Sequence, residues 1–201
     1  MKLSRSAILS TAFAILDEEG FERLSIRAVA KRLGVQASAL SWHVGKKAEL
    51  ISLMAATYST AARAAAPGGA GWAERLEVYG RTFRAAMLRH RDSARICVAA
   101  RPLTDAETAA RRLSAPLVEA GLQAQKALSF QAAVIAYSLG WVAYEQSQSM
   151  HDHLTNMIDF DHSFEVGLLA MVRGFAEDVE RGDSDRTLDI VRKQSASSKG
   201  Q

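Results

Sequence analysis

The stretch from Leu24 to Val44, LSIRAVAKRLGVQASALSWHV, leaves few options for how this chain folds. Leu24, Ile26, Val29, Ala30 and Leu33 recur at helical spacing, with Arg27, Lys31 and Arg32 on the opposite side, so the first half is an amphipathic helix. Gly34 supplies the left-handed stop that ends it. Val35 and Leu40 then resume an apolar face on a second short helix, expected from about Gln36 to His43. Two helices joined by a glycine-centred turn form a helix-turn-helix. The apolar set makes its interior and leaves Ser38, Ser41, Trp42 and His43 outside. In that arrangement the second helix can lie in a DNA major groove, its exposed residues meeting base edges and phosphates. Trp42-His43 could equally be the end of a core helix, or hold a catalytic histidine.

The flanking segments are helical too. Ser4 caps a helix whose Ile8, Ala12, Ile15 and Leu16 share one face, and Gly20 stops it. A long helix is expected from Lys46 to Ala66, ended by the strongest breaker in the chain, Pro67-Gly68-Gly69-Ala70-Gly71. Further helices are expected at Trp72–His90, near Asp92–Ala99, at Thr104–Ala120 (kinked or shortened by Pro116), and at about Gln125–Met150 and Ser163–Arg181. A polar loop, MHDHLTNMIDFDH, separates the last two. With 48% apolar residues, three prolines and no strand-like alternation, the class is all-α. The expected organisation is a three-helix helix-turn-helix DNA-binding domain over 1–47, a connecting helix over 48–66, and a helical ligand-binding and dimerisation domain over 67–181. The polar tail 182–201 is expected to be disordered.

Charge is uneven. Residues 1–60 hold Lys2, Arg5, Arg23, Arg27, Lys31, Arg32, Lys46 and Lys47 against five acids, a surplus of +3, whereas the other 141 residues carry 17 of each sign. A basic head on a neutral body points to a polyanion partner for the head alone. Lys47 falls at a helix start, where it gains little from the helix dipole, and a phosphate accounts for it better. The apolar run Ala7–Leu16 ends in Asp17-Glu18-Glu19-Gly20 rather than a cleavage site. The run Ala132–Tyr144 falls short of the roughly 20 residues a bilayer requires. A cytoplasmic protein without membrane contact is expected, and one cysteine fits a reducing compartment.

Catalytic patterns are absent: no Ser-His-Asp spacing, nucleotide loop or paired carboxylate motif stands out, and no cofactor is expected. Cys97, between Ile96 and Val98, is a buried small hydrophobe or a redox sensor, the latter requiring exposure and a depressed pKa. His151, His153, Asp159, Asp161 and His162 lie close enough in sequence to suggest Zn²⁺ and a metal-dependent enzyme, although polar loops gather such residues by chance.

LSIRAVAKRLGVQASALSWHVGKKAEL resembles the DNA-binding domain of the tetracycline-repressor (TetR) family, and its WHV is nearest to the tetracycline repressors within it. TFRAAMLRHRDSARICVAARP (82–102) and FDHSFEVGLLAMVRGF (160–175) resemble their ligand-domain segment and last long helix. The resemblance implies a homodimeric, effector-responsive repressor on a double-stranded operator; an activator or a ligand-blind DNA-binding regulator stays open, because a helix-turn-helix sequence does not fix the sign of regulation. It implies that Arg27 reaches a guanine, and that Trp42, His43 and Lys47 hold the phosphate backbone. Ser25, Gln36, Ala37, Ser38 and Ser41 complete the implied DNA-facing set. Ala37, Ser38, Ala39 and Ser41 depart from the tetracycline-repressor pattern, which implies a different operator. The implied ligand set is Tyr79, Phe83, Cys97, Arg101, Pro102, Leu113, Trp141 and Tyr144. Cys97 and Ala100 stand where that pattern has a Mg²⁺-binding His and a Thr. Tyr144, or the adjacent Glu145, stands where it has an outer metal-shell Glu. A set of Cys, Ala and Tyr lacks the oxygen ligands that Mg²⁺ prefers, so the implied effector is not Mg-tetracycline. Arg101 then meets an acidic or carbonyl group of a ligand, or pairs with Asp105 or Asp92.

Overall fold

The computed structural model describes residues 3–181, and every regular element among them is α-helical. The head comprises α1 (Arg5–Glu19), α2 (Ile26–Leu33) and α3 (Ala37–Val44). Each boundary has a local cause. Ser4 Oγ accepts the Ala7 N–H at 3.2 Å and Ser25 Oγ that of Ala28 at 3.1 Å, each satisfying an amide that has no partner inside its helix. Gly34 ends α2 at φ 69°, a left-handed conformation that costs glycine little. Ile8, Ala12, Ile15, Leu16, Leu24, Val29, Leu40 and Val44 close the head core against Leu50. Ile26 and Leu33, expected inside, are half-buried.

The helix α4 (Lys47–Ala64) runs from the head into the body, about 27 Å at ~1.5 Å per residue. The body holds α5 (Trp72–Leu88), α6 (Ser93–Ala99), α7 (Ala106–Glu119), α8 (Ala124–Gln146), α9 (Gln148–Leu154) and α10 (Phe160–Arg181). Its centre is α5, packed against α4, α8 and α10. A methyl group at Gly80 would lie 2.9 Å from Leu168 and 3.2 Å from Val134, so the missing side chain is what lets α5, α8 and α10 approach. Arg84 is buried in this core at 9% exposure. Its Nε and Nη2 donate to both oxygens of Glu145, at 2.8 and 2.6 Å, and Nη2 also meets Asp161 at 2.7 Å.

Three expectations are corrected. The helix α7 runs unbroken through Pro116 to Glu119. Proline deprives the Arg112 carbonyl of its partner near the helix end, while fully buried Leu117 and the Ser114 hydroxyl, donating to Ala110 O at 3.0 Å, hold the last turn. The loop expected at 150–162 is largely helical: α9 occupies 148–154, with the Gln148 amide donating to both Asp152 oxygens, and α10 starts at Phe160. Finally, α8 is long and apolar enough to cross a bilayer by length and composition alone. It instead packs against α5, α7 and α10, with Gln131 and Ser138 buried on it, as the core helix of a helical body.

Candidate functional site

The outer surface of the head carries the first group of candidates. On α3, Leu40 and Val44 face inward, so Trp42, two residues from each, must face outward, and it is 91% exposed. Ser38, Ser41, His43, Gln36 and Arg27 are exposed with it, while Ala37 and Ser25 are half-buried. Ser25 spends its acceptor on the α2 cap, and the Ser41 hydroxyl donates back to Ala37 O at 3.3 Å. The Arg5 guanidinium donates twice to His43 O at 3.3 Å, pinning the end of α3 to the start of α1. Lys47 begins α4 as expected but is half-buried, its Nζ 5.3 Å above the Phe21 ring. Lys46 is exposed. Arg32 is neutralised by Glu18 and Glu19 at 2.8 and 3.0 Å, whereas Arg23, Arg27, Lys31 and Lys46 have no acidic partner among the described residues. The positive surface is therefore smaller than the count of basic residues, and lies on the α2–α3 side.

The second feature is an open cavity of about 320 Å³ lined by α4, α5, α6, α7, α8 and the segment after α6. Four of the eight expected residues line it: Phe83, Cys97, Arg101 and Leu113. Tyr79, Pro102, Trp141 and Tyr144 do not. Ile135 and Leu139 give α8 its cavity face, and Trp141, two residues on, points the other way onto Tyr137, Phe160 and Phe164. Tyr144 is 49% exposed and Pro102 is exposed. Tyr79 is buried below Phe83, ring centroids 5.6 Å apart, and borders a separate recess of about 10 Å³ shared with Arg63 and Gln131. Sequence reasoning missed Ser52, Ala55, Ser59 and Arg63, whose i, i+3 and i+4 spacing on α4 is the signal of one shared face. It also missed Arg112.

The Arg101 amide donates to Ser52 Oγ at 2.9 Å, and its guanidinium pairs with neither acid considered for it. Asp105 caps α7 through Thr108, at 2.9 Å from N–H and 2.8 Å from the hydroxyl, and Asp92 accepts the Phe21 N–H at 2.9 Å. Burial pushes the Cys97 thiol up to about 12. That is the reverse of the depressed pKa a redox sensor requires.

The 151–162 residues do not converge: among the described residues no three His, Cys, Asp or Glu side chains form a metal-sized group. His151 stacks on Phe160 at 5.3 Å, Asp159 Oδ1 accepts the His162 N–H at 2.8 Å at the head of α10, and Asp161 meets Arg84. Stacking, a helix end and an ion pair thus engage His151, Asp159 and Asp161, and the five residues do not form one metal-sized group among the described residues.

Head and body meet at the turn between α5 and α6, which the sequence did not single out. Asp17 accepts the Arg91 N–H at 2.9 Å and sits 2.9 Å from His90 Nδ1, while His90 stacks on Phe13 at 4.2 Å. Arg95 pairs with Glu22 and lies 4.6 Å above Phe21. Asp92 holds φ 55°, a conformation uncommon for a residue with a side chain, while bonding Phe21. The helix that begins here, α6, ends at the cavity.

Residues 8–54 match the family described as bacterial regulatory proteins, tetR family, and residues 64–157 match the tetracyclin repressor-like C-terminal domain. The tetracycline repressor protein class E of Escherichia coli is 30% identical over 165 residues, covering 80% of this chain and 74% of that protein. The class A repressor of transposon 1721, also from Escherichia coli, is 33% identical over 149 residues, 73% of this chain and 68% of that one. The chain belongs to the TetR family. It is accordingly a TetR-family transcriptional regulator with a helix-turn-helix head. Among solved TetR-family structures, apo ActR from Streptomyces coelicolor superposes with a TM-score of 0.73 at 25% identity, covering 90% of this chain and 99% of ActR.

Proposed function

We propose that this TetR-family regulator is a repressor that binds a palindromic operator as a homodimer and is released by a small molecule other than Mg-tetracycline. In this reading residues 1–47 read DNA, 48–66 form the connecting helix, and 67–181 bind effector and dimerise, in the cytoplasm. The observation that carries it is the path from cavity to head: α6 lines the cavity at one end and, at the other, joins the turn whose His90, Arg91, Asp92 and Arg95 grip α1 and Phe21. An effector with higher affinity for a state in which that grip has shifted lowers operator affinity, and operator binding weakens the effector equally.

Two heads on successive major grooves are about 34–36 Å apart, which requires a two-fold dimer. The outward surface of α8 and α10, with Ala132, Ala136, Gly140, Tyr144, Val166 and Ala170 exposed, supports placing the dimer contact there. The exclusion of Mg-tetracycline is supported by Cys97 and Ala100 in the cavity wall, which offer no hard oxygen side chain, and by Glu145, which is held by Arg84.

Within this reading Arg27 touches a base and Trp42, His43 and the lysines hold phosphates. Fluorescence anisotropy with the operator and its single-base variants tests the division. Arg27→Ala is expected to cost ~1–3 kcal/mol and to relax selectivity at one base pair, whereas Trp42→Ala weakens all sequences alike. Arg27→Ala with unchanged affinity for every variant would remove Arg27 from base recognition.

A further inference from the structure

The cavity wall has a lopsided chemistry. Three arginines line it, Arg63 from α4, Arg101 after α6 and Arg112 from α7, and no Asp or Glu does. None of the three is ion-paired among the described residues, although the neighbouring Arg111 is paired with Glu107 and most acids of the body have found a cation. The rest of the wall is largely apolar, with Phe83, Leu113, Ile135 and Leu139.

Arg63 also borders the small recess beside the cavity, and that recess contains two further unused donors. The Tyr79 hydroxyl and the Gln131 amide nitrogen are buried without a hydrogen-bond partner, on residues only 3% and 4% exposed. A buried polar group left unpaired is costly, and native proteins retain few of them. Burial pushes the Tyr79 phenol up; the Ser59 hydroxyl, which lies near it without reaching hydrogen-bonding geometry, and the Arg63 charge oppose that shift, so the hydroxyl stays protonated and available to donate. Tyr79, Gln131 and Arg63 thus border one recess, each residue carries a donor, and the recess has room for about one oxygen atom.

We propose that the effector of this regulator is an organic anion: an apolar, ring-sized body fills the cavity lined by the three arginines, and a carboxylate binds Arg63, which borders both cavity and recess, and directs one oxygen toward Tyr79 and Gln131. Arg101 and Arg112, at the exposed rim, attract the anion and screen its approach. The proposal rests on the effector reading above and adds the chemical class of the effector and the residues that select it. Arg63 forks onto the carboxylate in the manner that favours arginine over lysine at such sites.

Biphenyl-4-carboxylate and its carboxamide, equal in shape and differing in charge, are the probes, titrated calorimetrically into the full-length protein. The acid is expected to bind at least tenfold more tightly than the amide. Arg63→Met is expected to abolish that preference and Arg63→Lys to retain part of it. Tyr79→Phe provides a control independent of folding damage. Removing an unpaired hydroxyl should leave the melting temperature of the free protein unchanged or higher, while the rise in melting temperature caused by the acid shrinks. Equal binding of the two probes, binding of neither, or a preference that survives Arg63→Met would each overturn the proposal. So would a Tyr79→Phe protein that melts lower alone and responds fully to the acid. Operator release is read separately: an acid-selective cavity whose occupation leaves DNA affinity untouched would sink the effector reading while leaving the anion site standing.

Discussion

Arg84→Met is expected to cost about 3–5 kcal/mol of unfolding free energy at neutral pH, because it strands a buried carboxylate. The side chains of Arg84 and Glu145 are only 10% and 11% exposed, and their two hydrogen bonds form a fork at 2.8 and 2.6 Å. Asp161, 88% exposed, contributes under about 1 kcal/mol to the cluster. The Arg84 guanidinium also lies 4.8 Å from the Phe164 ring, which adds about 0.5–2 kcal/mol. Glu145→Met should cost less than Arg84→Met, since Arg84 retains Asp161 and the ring. The double variant should return to within about 2 kcal/mol of the native protein, as buried pairs replaced by apolar groups commonly do. Urea denaturation of all four proteins at one fixed protomer concentration, followed by circular dichroism, measures the cycle. A cost below about 1 kcal/mol for Arg84→Met, or additive single variants, would refute the assignment of this pair as a desolvated, coupled unit.

Cys97 should resist alkylation. With its thiol at about 12 instead of the usual ~8.5, its thiolate fraction at pH 8 falls by about three orders of magnitude, and iodoacetamide labelling should be slower than for free cysteine by a comparable factor, accelerating as pH rises toward 12. Labelling at the rate of free cysteine in the native protein would place the thiol elsewhere than in this half-buried wall. Calorimetry with Mg-tetracycline should give no sub-micromolar binding, and such binding would show that the cavity assembles a metal site from groups other than Cys97, Ala100 and Glu145.

The head was the most legible part of the chain. Its stops are glycines and two of its three helices have serine caps, both of which act within a few residues, so helix ends could be placed within a residue or two. The outward face of α3 followed from Leu40 and Val44 alone. The cavity was only half legible, because membership depends on which face of α8 and α5 turns inward after packing. Trp141 and Tyr144 belong to the expected ligand set, but the angle from Leu139 turns both away from this cavity. Arg63 and Arg112 look like ordinary surface arginines in sequence. Only the fold reveals that no acid stands near enough to occupy them. Lys47 illustrates the converse case: its position at a helix start suggested a phosphate partner, and the structure adds a ring, Phe21, contributed from twenty-six residues away.

The helix α6 has seven residues, about 10 Å of rod. No flexible linker separates its cavity end, at Cys97, Ala100 and Arg101, from its head end, at Asp92 and Arg95. A longer or looser connection would absorb a sub-ångström adjustment as local play. Here there is no backlash in the train, so a displacement imposed at one end must appear as a displacement, or as strain, at the other.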